Sequence, residues 1–319
     1  MWMLGLDAGG TKTHSIITNE NGQFIAEGFG GPANYQTCGV EKTKESLEHS
    51  INEALNNSGL KLKDIYRGVF GMAGADEDMD FKVLNPLVQS IMGSIPVEIV
   101  NDTWIGLRSG AEDNIGVVSV CGTGAAHAGR NRKGKSLILR NLDYELGNLG
   151  GGGDLINSTL HYAFRSEEQT FLKTCLEDEI KTIFNVDTMD DVCDIIRREE
   201  MTSEHQYKIP IAVIKAAKEQ DTVAKMLVEE MGYSLGQYAC GIIKRLGLNN
   251  EKVPMVLVGS LFKTREPLLI DSYMRAVYEA APLAYPVFPE KSPAMGAIGL
   301  LLDGFSTGNL CGSQNYCRY

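Results

Sequence analysis

The sequence contains no run of about 18 consecutive apolar residues, the length a membrane-crossing helix needs. Its first apolar stretch stops at Asp7, without the basic start and long apolar core of a secretion signal. The expectation is a cytoplasmic protein with no membrane partner. Basic residues are in deficit: 30 Lys and Arg face 41 Asp and Glu, a net charge of -11, which argues against nucleic acid as a partner. No Cys-x-x-Cys occurs among the 7 cysteines and no metal spacing such as His-x-x-x-His among the 5 histidines. An odd number of cysteines without such spacing fits reduced, inert thiols. What remains is ordinary globular composition, 43% hydrophobic and 22% charged over 319 residues, enough for two domains.

The most informative segment is Gly5-Leu6-Asp7-Ala8-Gly9-Gly10-Thr11-Lys12-Thr13. It joins two extended runs through a tight turn. Glycines there let a phosphate approach bare backbone N–H groups. Thr11 and Thr13 add hydroxyls, Lys12 adds a positive charge, and Asp7 offers the hard oxygen that Mg²⁺ prefers. A glycine hairpin without a ligand explains the same residues, with Asp7 bonding its own turn and Lys12 solvated.

Periodicity places strands at Met3–Leu6, His14–Thr18 and Phe24–Gly28, the last two joined by an Asn21-Gly22 turn. A helix is predicted over Val40–Ser58, with Gly59 as its stop, then a buried strand at Gly68–Met72. A helix over Asp78–Met92 and a short strand at Val97–Val100, ending in Asn101-Asp102, follow. The pattern then restarts. Ile115–Val120 leads into a second Gly/Thr turn, Cys121-Gly122-Thr123-Gly124, followed by strands at His127–Gly129 and Leu137–Leu139. Residues 154–245 read as mainly helical, Met255–Val258 as a strand ending in Gly259-Ser260, and Pro267–Ala280 and Ala294–Leu302 as helices. Two hairpins with Gly/Thr tips could clamp one triphosphate between two domains. The expected partition is 1–114, a small N-terminal domain, and 115–305, a larger C-terminal domain with a helical insertion. The final helix, 294–302, would dock on the first domain, and 306–319 would be a mobile tail.

Taken together, these residues resemble the sugar kinase/actin/heat-shock ATPase superfamily. Leu6–Thr13 is similar to its first phosphate motif, Val120–Gly124 to its second, Val256–Ser260 to its adenosine motif, and Val100-Asn101-Asp102 to the segment with the catalytic aspartate. Gly31-Pro32-Ala33-Asn34 and Gly71-Met72-Ala73-Gly74-Ala75 are similar to the N-acetylglucosamine kinase branch, grouped with the BadF/BadG/BcrA/BcrD ATPases. The resemblance implies an α/β fold of two ribonuclease-H-like (actin-like ATPase) domains around a cleft. It further implies an ATP-dependent transfer of the γ-phosphate to an amino sugar, most nearly N-acetylglucosamine, with Mg²⁺. A homodimer is a further expected partner state.

On this resemblance Asp102 is the catalytic base, although by local sequence it could equally cap a turn at Trp104–Leu107. Asp7 is the metal ligand. Gly9, Gly10, Thr11, Lys12, Thr13, Gly122, Thr123 and Gly124 hold phosphates, and Gly259 and Ser260 the adenosine, or else Ser260 caps a helix. Asn34 and Gly74 face the sugar, or Asn34 serves its own turn. The chain departs from the branch in two places. Ala125 stands where a serine usually closes the second motif. The usual Gly-Asp-Glu-Gly-Ser is replaced by Gly147-Asn148-Leu149-Gly150-Gly151-Gly152-Gly153-Asp154, leaving Asn148 or Asp154 to take over a sugar contact. A second function class is an ATPase that activates a partner enzyme, which would need cysteines around an iron–sulfur cluster. A third, a ROK-type regulator, lacks its Cys-x-Cys-Gly-x-x-Gly-Cys cluster here.

Overall fold

A computed structural model of the protein describes residues 1–142 and 144–304; the tail expected at 306–319 lies outside the described residues. The first half contains β1 (Trp2–Ala8), β2 (Thr13–Asn19), β3 (Phe24–Gly30), α1 (Tyr35–Cys38), α2 (Val40–Ser58), β4 (Ile65–Met72), α3 (Asp78–Met92), β5 (Val97–Asn101) and α4 (Asp102–Gly110). The second contains β6 (Gly116–Cys121), β7 (Ala125–Arg130), β8 (Ser136–Ile138), α5 (Gly152–Glu167), α6 (Leu176–Phe184), α7 (Met189–Arg197), α8 (Ser203–Lys218), α9 (Thr222–Leu246), β9 (Pro254–Val258), α10 (Ser260–Lys263), α11 (Pro267–Ala280), β10 (Tyr285–Val287) and α12 (Pro293–Leu302).

The two halves repeat one topology. One sheet runs β3-β2-β1-β4-β5 and the other, read in the same sense, β8-β7-β6-β9-β10. In each, the first three strands of the half form antiparallel hairpins, and the remaining two add in parallel beside the first strand. This 3-2-1-4-5 order is the ribonuclease-H-like one. It puts the carboxyl ends of β1, β4 and β5, and of β6 and β9, on the edge where ligands of α/β sheets bind.

Sequence accounts for most of these elements. Leu47, Ile51, Ala54 and Leu55 recur along one face of α2 and are buried, and Gly59 ends it in the left-handed conformation, its N–H bonded to Leu55 and Asn56 carbonyls. Residue 22 turns the β2–β3 hairpin at φ +75°, where glycine is favoured. Two elements differ from expectation. The chain continues past Asp102 as a nine-residue helix, α4, rather than a single turn. Trp104, Ile105, Leu107 and even Gly106 and Ser109 are buried in it, so it has no polar face to produce a 3.6-residue pattern. Likewise β10, three residues including Pro286 at a sheet edge, is too short to show alternation.

Between the sheets lies a shared core. Met3, Val69 and Val100 from the first sheet, Val118, Val256 and Val258 from the second, and Trp104, Ile105, Ile298 and Leu300 from α4 and α12 form one cluster. Backbones nearly touch in it: a Cβ on Gly296 of α12 would lie 2.0 Å from the Ile105 carbonyl oxygen. Arg108 of α4 closes the crossing with an ion pair to Asp303 at 2.7 Å. α12 thus packs on the first half although it follows the second half in sequence. The helix carrying Asp102 is therefore wedged between both sheets. No helix among the described residues is long and apolar enough to cross a membrane.

Candidate active site

The tips of the two Gly/Thr turns meet. Thr11 Oγ1 and Thr123 Oγ1, 112 residues apart in sequence, stand 3.0 Å from each other across the gap between the halves. In the first turn the Gly9 N–H closes on the Lys12 carbonyl at 2.9 Å, and the Gly9 carbonyl accepts from Ala33 of the Pro32–Asn34 loop at 3.0 Å. Gly10, Thr11 and Lys12 are exposed. Thr13 is not at the tip. It is fully buried and its hydroxyl donates to the Gly31 carbonyl at 2.9 Å, so it fixes the loop rather than presenting a group to the gap. Lys12 projects into solvent with Nζ 6.0 Å from the Phe29 ring centroid.

In the second turn the Gly122 N–H bonds the Gly124 carbonyl at 2.9 Å. The start of α5 braces it from behind: Gly152 donates to Gly122 at 2.7 Å and Gly153 to Thr123 at 2.9 Å. The glycine run 150–153 is thus a support for this turn. Gly259 completes the wall. With φ +104° and a would-be Cβ 2.2 Å from the Cys121 carbonyl oxygen, no side chain fits there. It caps α10 without a side-chain bond, leaving Ser260 exposed as that helix's first residue.

Three carboxylates gather at the carboxyl ends of β1, β4 and β5. Asp7 is pushed up to about 6 by burial, against the pull of Lys12 and Lys263. Asp102 is raised to about 7 by burial and then by the charge of Asp7. Asp76, after β4, is raised to about 7 by burial, then by Asp102, Asp80 and Glu77, with a hydrogen bond from Asn101 opposing. Capping of α4 falls to Asn101, whose Oδ1 accepts the Thr103 N–H at 3.0 Å. Asp102 is the first helical residue instead, so the alternative local role for it is taken by its neighbour. Asp76 was not singled out in the sequence, where Asp76-Glu77-Asp78 reads as the acidic entry to α3.

The expected sugar residues divide. Asn34 and Gly74 lie together beside this carboxylate group: a Cβ on Gly74 would be 2.6 Å from Asn34 Oδ1. Asn34 also caps α1 by accepting the Gln36 N–H at 3.1 Å. Asn148 and Asp154 sit behind the second turn. The amide of Asn148 donates to the Ala125 carbonyl at 3.0 Å, and Asp154 accepts the Gly150 N–H at 2.6 Å. Asn148 thus ties the segment before the glycine run to β7, and Asp154 closes the run on itself. Among the described residues no group of three or more His, Cys, Asp or Glu side chains could cage a metal. Mg²⁺ takes only one or two carboxylates and draws its other ligands from phosphates and water, so the single Asp7 carboxylate beside the first turn fits its demands.

Two surface concavities lie elsewhere. One of about 480 Å³ is lined by Arg67, Asp78, Asn85 and Glu98, and one of about 460 Å³ by Lys225, Glu229, Tyr233 and Arg275.

Comparison with known proteins identifies the family and the fold. The family model described as the BadF/BadG/BcrA/BcrD ATPase family matches residues 4–300. An N-acetylmuramic acid/N-acetylglucosamine kinase of Clostridium acetobutylicum is 26% identical over 297 residues, 93% of this chain and 97% of the relative. An N-acetyl-D-glucosamine kinase of Dictyostelium discoideum is 26% identical over 311 residues, 94% of this chain and 97% of the relative. The solved structure of a proposed N-acetylglucosamine kinase from Chromobacterium violaceum superposes with TM-score 0.73 at 19% identity, covering 94% of this chain and 98% of that one. This last likeness speaks for the fold, two ribonuclease-H-like domains.

Proposed function

The chain belongs to the BadF/BadG/BcrA/BcrD ATPase family, and from that premise we propose that it is a cytoplasmic, ATP-dependent kinase of an amino sugar, N-acetylglucosamine first among them. The observation that carries the proposal is the meeting of the two turns, Thr11 against Thr123, beside a carboxylate held near neutrality. Relatives named for N-acetylglucosamine span nearly the whole chain and support the choice of sugar.

In this reading the backbone N–H groups of Gly10, Thr11, Thr123 and Gly124, the Thr11 and Thr123 hydroxyls and Lys12 bind the phosphates, Gly9 and Gly122 shape the two turns through their own N–H bonds, and Gly259-Ser260 abut the adenosine. Phosphoryl transfer asks a protein mainly for positioning and charge neutralisation. Asp7 would hold Mg²⁺, which when bound offsets the charge of the phosphate oxygens. Asp102, its ionisation poised near neutral pH, accepts the proton of the sugar hydroxyl as that oxygen attacks. Asn34 and Gly74 line the sugar side. With Asn148 bonded to β7 and Asp154 to the glycine run, discrimination among sugars falls to the loops around Asn34 and Gly74. The activator reading fares less well, because Cys121, the cysteine nearest the second turn, is fully buried beneath Gly259.

The test is a coupled assay of ADP release with N-acetylglucosamine, N-acetylmuramic acid, glucosamine and glucose. Release should depend on sugar and be faster with an N-acetylated one than with glucose by about tenfold or more. ADP release that no sugar accelerates would refute the kinase reading.

A further inference from the structure

Asp76 lies outside the set of residues assigned above, yet its surroundings are specific. Its Oδ1 accepts a hydrogen bond from Asn101 Nδ2 at 2.8 Å. The same amide also reaches the Ala75 carbonyl at 3.5 Å, while Asn101 Oδ1 takes the Thr103 N–H at 3.0 Å and the Thr103 hydroxyl at 2.5 Å. Both ends of the Asn101 side chain are thus engaged: the acceptor grips the first turn of α4, and the donor grips the loop after β4. Asn101 and Thr103 are buried, so solvent does not compete for these bonds.

On its other side Asp76 is tied back to the loop expected to face the sugar. Its N–H donates to Asp80 Oδ2 at 2.9 Å, as does Glu77 at 2.6 Å. Asp80 in turn accepts from the Tyr35 hydroxyl and from Gln36 Nε2, the latter at 3.1 Å. A chain of hydrogen bonds therefore runs from the segment just after Asn34, through Asp80, Asp76 and Asn101, to the helix turn that begins with Asp102. Entry into α3 does not account for the Asp76 carboxylate, since Glu77 and Asp80 form the capping box of that helix between them. Nor is such a carboxylate cheap to keep, given its burial and the neighbouring charges of Asp102, Asp80 and Glu77.

We infer that Asp76 is a positioning residue for phosphoryl transfer: through Asn101 it fixes the first turn of α4, and so aims the Asp102 carboxylate at the sugar bound beside Asn34. The inference rests on the assignment of Asp102 as the base. Misplacing a reacting group by about 1 Å costs on the order of 100-fold in rate, so a hydrogen bond that sets this turn is worth more to catalysis than to stability.

The experiment compares Asp76→Ala with Asp76→Asn in the full chain. Alanine removes the acceptor and leaves Asn101 Nδ2 without its partner. Asparagine keeps an acceptor oxygen in the same place and removes only the charge. In Asp76→Ala, kcat should fall by about 10- to 100-fold with the KM for ATP unchanged, and Asp76→Asn should restore kcat to within a few fold of wild type. Should the alanine variant fail to fold, Asp76→Ser, too short to reach Asn101, takes its place. Undiminished kcat in Asp76→Ala or Asp76→Ser would overturn the inference. A parallel loss of kcat and ATP affinity, unrelieved by Asp76→Asn, would overturn it equally, since that is what mere disorder of the loop produces. A wild-type protein that phosphorylates no amino sugar would instead bring down the functional reading itself, and this inference with it.

Discussion

Asp102→Asn should lower kcat by about 10²- to 10⁴-fold while ATP binds as it does to the wild-type protein. The reasoning is geometric first. Asp102 opens a helix wedged between the two sheets, at the carboxyl end of β5, beside Asp7 at the end of β1. Capping is performed by Asn101, so the substitution should leave α4 intact. Burial and the charge of Asp7 raise the Asp102 carboxyl to about 7, and only its ionised form can take a proton. In the wild-type enzyme kcat/KM should therefore climb as pH rises through about 7 and level off above it. Asparagine cannot ionise, so that rise should vanish along with most of the rate. Steady-state rates across neutral pH, beside calorimetric ATP titrations, give both readings. A fully active asparagine variant would remove Asp102 as the base.

Asp7→Asn should raise the Mg²⁺ concentration for half-maximal rate by an order of magnitude or more, because a carboxylate is the hard anionic ligand this ion prefers and an amide is not. Asp7 belongs to β1 yet lies within the electrostatic reach of Lys12 and Lys263, which come from the two halves of the chain. Burial raises its carboxyl to about 6. Protons should therefore compete with the metal as pH falls through that value, and the apparent Mg²⁺ requirement of the wild-type enzyme should rise below it. The asparagine variant should lose this pH dependence. An unchanged metal requirement in Asp7→Asn would assign the ion to another ligand.

Much of the architecture could be read in advance, and for identifiable reasons. The helices Val40–Ser58, Asp78–Met92 and Pro267–Ala280 fall at the expected bounds, the first because apolar residues recur on one face and Gly59 ends it. The restart of the strand pattern at residue 115 anticipated two sheets of the same order. Elements buried on every side left no such trace. α4 shows no polar stripe because both sheets enclose it, and β10 is too brief for alternation to register.

The gathered residues were legible unevenly. Gly9, Gly10, Thr11, Gly122, Thr123 and Gly124 announced themselves as two glycine turns, but that the tips touch is a tertiary fact no local pattern contains. Thr13 looked like a third hydroxyl for the gap. Alternation gave no warning, since residues two apart share a face; the difference is tertiary, because Thr13 opens the buried strand β2 and bonds Gly31 inside the fold while Thr11 stays in the exposed turn. Asp76 was hidden among acidic neighbours, and only its bond to Asn101 distinguishes it. Asn148 and Asp154 were named because the family's sequence at that place is missing; the first bonds the Ala125 carbonyl of β7 and the second the Gly150 N–H of the glycine run.

The most direct test of two turns gripping one triphosphate is calorimetric binding of ATP and of adenosine to wild type, Thr11→Val, Thr123→Val and the double variant. Each single change should weaken ATP by about tenfold, the cost of one hydrogen bond to a charged group, and leave adenosine binding untouched. Because both hydroxyls meet at one point, the double variant should lose less than the two single losses combined. If either variant binds ATP as wild type does, or weakens ATP and adenosine alike, the two turns do not share a triphosphate.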